Sequence, residues 1–304
     1  LTVSAVGAPG AKERYVRPTH FVRAVELFRQ RFDITPAALI TNECGGNATI
    51  NGWLQSAITG LPLLDAPCNG RAHPTGVMGS MGLHLDKGYE SRQTAVGGNP
   101  KTGRYLEVAV SGGLDGAAGM IRSASVQAGG LVAVARNPVP AGYVKNHAAP
   151  GAITQCVKLG EAMLAARAAG KDVPTVTADF LQGKIVATGL VGSVDIETRG
   201  GFDVGVVKMA TTSGKVELTF WNEYMTLEID GERLGTFPDL IATVDAATGR
   251  PVNSAEIQAG KSIAILLSDR KNLILGAGMR DPGLLRVAEQ AVGRPLVPYV
   301  FPEK

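Results

Sequence analysis

Residues 37–66 read "AALITNECGGNATINGWLQSAITGLPLLDA" and decide the fold of the first half of the chain. "AALITN" (37–42) is a short apolar run suited to a buried strand. "ECGGN" breaks it, and the spacing from about Ala48 to Thr59 predicts a helix that Gly60 stops. "LPLLDA" (61–66) then reads as the next buried strand. Strand, helix and strand within roughly 30 residues is the size of a βαβ unit, which implies two parallel strands.

Upstream, "THFVRAVELFRQRF" (19–32) places Phe21, Val22, Val25, Phe28 and Phe32 at helical spacing, with Leu27 off the stripe and Thr19 able to cap. Downstream, residues 67–104 are rich in glycine and proline and read as a long loop. "YLEVAVSGG" (105–113) and "LVAVAR" (131–136) are strand-like and flank a small-residue helix over 114–128. Residues 151–169 form an amphipathic helix with Ile153, Cys156, Val157, Met163 and Leu164 on its apolar face. "KDVP" reads as a linker. After about residue 180 short strands alternate with glycine turns, "TSGK" and "IDGE" being hairpin-type. A helix over about 282–292 and the tail "PLVPYVFP" follow. The expected architecture is an N-terminal α/β domain with a partly parallel sheet (1–172) and a mostly β C-terminal domain (173–304).

Composition bounds what the chain does. Of 304 residues, 45% are hydrophobic and 19% charged, enough for a sizeable core. Thirty basic against 27 acidic residues give a net charge of +3, and aromatic residues make up 5%. Without clustered basic residues or aromatic platforms, nucleic acid is not an expected partner. No apolar run reaches about 18 residues, so no membrane span is expected. Three cysteines without C-x-x-C spacing argue against a disulfide scaffold and suggest reduced thiols in the cytoplasm. The chain starts at Leu1 in a strand-like stretch, and the expectation is that its natural N-terminus lies further upstream.

Two loops concentrate chemistry. "TNECGGNATING" (41–52) lies where a strand hands over to a helix, the place where open α/β sheets bind ligands. Glu43 there could act as a base. Gly45 and Gly46 let backbone N–H groups approach an anion. The plainer reading is a glycine turn with Asn47 as helix cap. "LLDAPCNGRAHPTG" (63–76) gathers Asp65, Cys68, Arg71 and His73. Arg71 suits bidentate capture of a carboxylate, His73 acid–base or metal chemistry, and Cys68 nucleophilic attack if its pKa is lowered. The plainer reading is a surface loop with an Arg71–Asp65 pair. Cys44 and Cys68, in glycine-containing loops, are expected to be more accessible than Cys156. No G-x-S-x-G elbow or H-E-x-x-H pair occurs.

Four stretches in this order resemble the S-methyl thiohydantoin desulfurase-like family: "AVGAPGAKE" (5–13); "ECGGNATI" with "AITGLPLLDA" (43–50, 57–66); "NGRAHP" (69–74); and "WNEYMTLEIDGERLGTFPDLIATVDAATGRPV" (221–252). The resemblance spans nearly the whole chain and points to Glu43, Gly45, Gly46, Asn47, Asp65, Gly70, Arg71, Asn222 and Glu223. This chain departs from the pattern at Pro67, where relatives tend to carry aspartate, at His73, in place of phenylalanine, and at Thr75, in place of glutamate. The resemblance implies a hydrolase-type enzyme acting on a small cyclic amide or thioimidate such as a substituted hydantoin. In that reading Glu43 or Asp65 is the base and His73 the acid. Gly45, Gly46 and Asn47 line the substrate, and Arg71 clamps its carboxylate. No cofactor is assigned, and a divalent metal stays open. Two alternatives remain: an accessory subunit of a hydantoinase/oxoprolinase-like assembly, and a metal-dependent lyase or isomerase using Asp65, Cys68 and His73. A small-molecule substrate and a homo-oligomer are the expected partners.

Overall fold

A computed structural model describes residues 1–8, 10–46 and 48–302. The chain divides into two compact units. The first runs to Ile153 and takes in residues 198–202 and 275–280; the second holds the rest. The first is a mixed α/β domain and the second mostly β.

The α/β unit contains β1 (Thr2–Gly7), α1 (Pro18–Phe32), β2 (Ile40–Thr41), α2 (Trp53–Thr59), β3 (Ser91–Gly97), β4 (Leu106–Gly112), α3 (Leu114–Gln127), β5 (Leu131–Arg136) and α4 (Ala141–His147). Its sheet order is β2-β1-β5-β3-β4. Only β1 and β2 run parallel; the other neighbours are antiparallel. Leu63 bridges Leu39 in parallel and the Cys68 amide donates to the Thr41 carbonyl, so the 61–68 segment extends the parallel edge. The expected strand–helix–strand path is therefore present, with the strand expected at 61–66 reduced to the single bridge at Leu63.

Period-two alternation assigns each sheet face. Leu1, Val3, Val96, Ala133 and Ala135 pack against Ala24, Val25, Leu27 and Phe28 of α1. Leu27 is thus a core residue despite lying off the sequence stripe. On the other face Val6, Ala95, Val132 and Val134 pack with Ile121 and Ala128 from the α3 region. Further along this second face the row Thr2–Arg136–Gln93, in register across β1, β5 and β3, is polar and buried.

Helix α2 begins five residues later than expected. Thr49 folds back on Gly45, its amide and hydroxyl both donating to the Gly45 carbonyl. Gly52 takes φ +97°, where a Cβ would meet Leu63 and Val3. The 67–104 stretch is not one loop, since it holds β3. The sequence "SRQTAVG" hides that strand because its buried polar residues mask the apolar pattern.

The second unit contains α5 (Ala152–Ala168) from Thr154 on, α6 (Val173–Phe180), β6 (Lys184–Arg199) up to Glu197, β7 (Phe202–Thr211) from Asp203 on, β8 (Gly214–Trp221), β9 (Glu223–Ile229), β10 (Glu232–Thr236), β11 (Leu240–Asp245), β12 (Ser262–Ser268), α7 (Pro282–Val292) and α8 (Val297–Val300). Strands β6–β12 form one seven-stranded sheet, order β10-β9-β8-β7-β6-β12-β11. Val207, Leu218, Phe220, Leu227, Ile241 and Ile263 lie in its core. Asp230 and Gly231 both have positive φ, the turn that "IDGE" requires. "KDVP" is no linker: Asp172 accepts the Thr175 amide at 2.9 Å and starts α6 with Pro174 in its first turn. Among the described residues no helix is long and apolar enough to cross a membrane.

The cysteines reverse the expected order of access. Cys44 and Cys68 are buried, whereas Cys156 is half-buried on a helix that also exposes Val157 and Leu164. The glycine-rich loops are covered because their main chains zip together, Cys44 N–H onto Asn69 O and Cys68 N–H onto Thr41 O. Burial also pushes the Cys68 thiol up to about 11, so little nucleophilic thiolate forms near neutrality. Mass-spectrometric labelling of the native protein at pH 8 should modify Cys156 first and leave Cys68 protected until the protein unfolds.

Candidate functional site

Three strand ends converge at the start of β1. The Asn42 amide extends the parallel ladder by donating to Val3 O at 3.1 Å, after which the chain turns and presents Glu43. The 67–73 loop lies beside it through the two zipper bonds. Asn69 fixes that loop internally: its Nδ2 donates to Arg71 O at 2.8 Å and its Oδ1 accepts the Gly276 amide at 3.1 Å. Gly276 belongs there because a Cβ would collide with the Cys68 carbonyl. On the other side of β1, Arg136 closes β5.

The centre is a four-residue cluster. Glu43 Oε2 lies 3.1 Å from His73 Nε2, accepts the His73 main-chain amide at 3.1 Å and accepts Asn42 Nδ2 at 3.4 Å. Asn42 Nδ2 is also 3.1 Å from His73 Nε2. Arg136 Nη2 donates to Asn42 Oδ1 at 2.7 Å. A guanidinium only donates, so this bond fixes which end of the Asn42 amide is oxygen and aims the NH₂ at Glu43 and His73. At 3.1 Å, Oε2 and Nε2 repel unless a proton lies between them, so the pair shares one.

Electrostatics separates the two partners. Burial pushes the Glu43 carboxyl up to about 7, opposed by the His73 amide and by the Arg136 and Arg71 guanidiniums. Burial together with Arg136 and Arg71 pulls His73 down to about 3. His73 is therefore a neutral imidazole near neutrality. The His73 side chain is 1% exposed and that of Glu43 16%, so Glu43 is the member that reaches solvent. Its Oε1 faces Gly45: a Cβ there would lie 3.7 Å from Oε1 and 2.9 Å from the Ala72 Cβ. Gly46, further along the same loop, is exposed, with open space around it.

The other sequence-derived residues divide. Arg71 is 4% exposed, not the exposed loop side chain expected, and its Nε donates to Ala72 O at 3.1 Å. Asp65 works elsewhere: its Oδ1 accepts the Ile153 amide at 2.8 Å and its carbonyl the Gly151 amide at 2.9 Å, which anchors the start of α5. Cys68 Sγ lies 3.4 Å from Thr2 Oγ1. Asn47 falls outside the described residues. Among the described residues no three His, Cys, Asp or Glu side chains converge as a cation site, so Asp65, Cys68 and His73 do not form the ligand set considered above.

Four contributors were not singled out in the sequence: Asn42, Arg136, Gly76 and Gly79. A charged residue ending the apolar run "LVAVAR" was the available signal for Arg136. Gly76 abuts the Arg136 guanidinium, and a Cβ on Gly79 would lie 2.5 Å from Asn42 Oδ1 and 2.6 Å from His73 Cε1. Gly79→Ala should therefore displace the Asn42–His73 pair and destabilise the fold by about 1–3 kcal/mol, the usual cost of overpacking. Chemical denaturation measures it.

An X-ray structure of a Chromobacterium violaceum protein superposes with a TM-score of 0.69 at 20% identity, covering 95% of this chain and 80% of that one. At that identity the likeness concerns the fold. No curated protein matches significantly. The model of the S-Me-THD-like N-terminal domain matches residues 1–100, which include Asn42, Glu43, Arg71 and His73. The model of the S-Me-THD-like C-terminal domain matches residues 115–274. With both domains matched in order, the chain belongs to the S-Me-THD-like family.

Proposed function

We propose that this protein is a hydrolase-type enzyme acting on a small hydantoin-like ring, a cyclic amide or S-alkyl thioimidate. The observation that carries the reading is the buried Glu43–His73 pair, its Oε2 and Nε2 3.1 Å apart and faced by two guanidiniums. Opening such a ring needs a base for water, an acid for the leaving nitrogen or thiol, and a donor for the tetrahedral oxyanion.

Glu43 serves as base and then as acid. In its ionised form it removes a proton from water on the Gly45 side while the water oxygen bonds to the ring carbon. The proton held on Glu43 then passes to the leaving nitrogen or sulfur as its bond to carbon breaks. A carboxyl with a pKa near 7 suits both halves of this cycle. His73 Nε2 holds Oε2 in place, and Asn42, itself oriented by Arg136, does the same from the other side. Arg71 and the Gly45 and Gly46 backbone are the candidates for the oxyanion or a substrate carboxylate. Asp65, engaged at α5, is not given the base role. His73, where relatives tend to carry phenylalanine, favours a substrate different from theirs.

The test is ring opening or thiol release from a panel of hydantoins and S-methyl thiohydantoins by the purified chain. Glu43→Gln should lower kcat by 10²–10⁴-fold while leaving the thermal transition at pH 5 near that of the parent. Turnover by Glu43→Gln equal to the parent's, or none by the parent on any ring, would overturn the reading; activity regained only with a co-purifying subunit would favour the accessory-subunit alternative.

The pH dependence follows from the shifts. Activity of the parent should rise as pH passes through about 7, where Glu43 ionises. Arg136 holds that carboxyl down, so Arg136→Met should move the ascending limb upward by about one pH unit. Stability has the opposite slope. The raised carboxyl contributes stability that is fully present below the ordinary carboxyl value of 4.5 and lost as pH rises through about 7. Glu43→Gln should remove that loss, and melting temperatures across pH 4–8 measure it.

A further inference from the structure

Helix α2 is amphipathic in reverse. Its sheltered positions, with the turn before it, are Asn51, Gly52 and Gln55, all buried. Its outward positions are apolar: Ile50 is 61% exposed, Trp53 48%, Leu54 37% and Ile58 61%, and Ala57 is exposed beside them. The spacing 53, 54, 57, 58 gathers the helical ones on one stripe, and Ile50 lies in the turn before them. From Cys44 to Leu64 the sequence carries no charged side chain. Surface helices ordinarily present the opposite pattern. A contiguous apolar patch beyond a few hundred Å² marks an interaction site.

We infer that this face is a self-association surface, covered by a second copy of the same chain across a two-fold axis. Two observations favour a copy over another partner. The first is charge. A two-fold interface must complement itself, and a patch without charge does so, with nothing in it to select a partner of opposite sign. Next to Ile58 runs a cleft of about 530 Å³ whose wall includes His20, Val22 and Tyr105. Its rim carries both signs, Arg23 and Glu26, so it too can pair with its own image. The second is area. The exposed side chains present roughly 400–500 Å², which a copy-on-copy contact counts twice. The resulting total of roughly 800–1,000 Å², to which the flanking cleft adds, is that of a weak, reversible contact. This inference does not depend on the reaction proposed above.

Sedimentation velocity from about 1 to 100 μM tests it. The parent should be a reversible dimer. Ile58→Glu, at an exposed position that the helix tolerates, should raise the dissociation constant at least 100-fold. Leu190→Glu, at an equally exposed apolar position in the second unit, should leave the dimer intact. An independent readout needs no change on α2. Trp53 and Trp221 are the only tryptophans, so Trp221→Phe leaves Trp53 as sole reporter, and its emission should shift to the red on dilution. A parent that stays monomeric to 100 μM, an oligomer that survives Ile58→Glu unchanged, equal loss with Leu190→Glu, or Trp53 emission independent of concentration would each overturn the proposal. A tetramer reduced to a dimer by Ile58→Glu would support it.

Discussion

The 2.7 Å hydrogen bond from Arg136 to the Asn42 carbonyl oxygen is the constraint on which the site depends. Arg136 ends β5 and Asn42 follows β2, with β1 between them, so one side-chain bond spans three strands. It also decides chemistry. Because the guanidinium occupies the oxygen of Asn42, the amide nitrogen must point at Glu43 and His73. Asn42 thus transmits the position of a strand end to the atoms of the proton-sharing pair. Gly76 and Gly79 close over this arrangement with no Cβ to spare, which locks the rotamers that a looser packing would leave free.

This arrangement buries polar groups. Arg136 is buried, and Ser4 and Gln93 are buried polar residues on the same sheet face. The same face continues into Val6, Val132, Val134 and Ile121, where burial is favourable. The polar half of the sheet thus rests on the apolar half, and the opposite face, filled by α1, is apolar almost throughout. A fold that concentrates its buried polar groups at one end of one sheet face concentrates its functional candidates there too.

What could be read from the sequence follows the same division. The order of elements at 37–66, helices α3, α5 and α7, and the hairpins of the second unit were legible from apolar runs and turn residues, although α2 and α5 expose much of the apolar stripe that periodicity alone would bury. Strand β3 was not, because Ser91, Gln93 and Thr94 are buried polar residues and burial then leaves no hydrophobic trace. Glu43 and His73 stood out by residue type, but their partners did not. Asn42 reads as a loop polar residue and Arg136 as an ordinary charged strand end until the register places them together. The cysteines misled for a related reason. Glycine-rich loops usually mean exposure, whereas here glycine permits close approach between two loops whose main chains bond each other. Asp65 shows the converse, a reactive side chain beside the cluster in sequence yet engaged by the amide of Ile153.

The electrostatics of the cluster follows from what the surrounding sequence lacks. Between Glu43 and Asp65 no residue carries charge, so the field at the site comes mainly from Arg136, Arg71 and Glu43 itself. Burial penalises charge on either member of the pair, raising the carboxyl and lowering the imidazole. The guanidiniums break that symmetry. They offset the penalty for a carboxylate and add to it for an imidazolium. The doubly protonated pair, carboxylic acid with imidazolium, is therefore the state most disfavoured near neutrality. A single proton must serve both groups, and because the imidazole is held neutral, the group that gains and loses charge is the carboxylate, the member that reaches solvent. The same two guanidiniums that fix the geometry thus select which of the two side chains titrates.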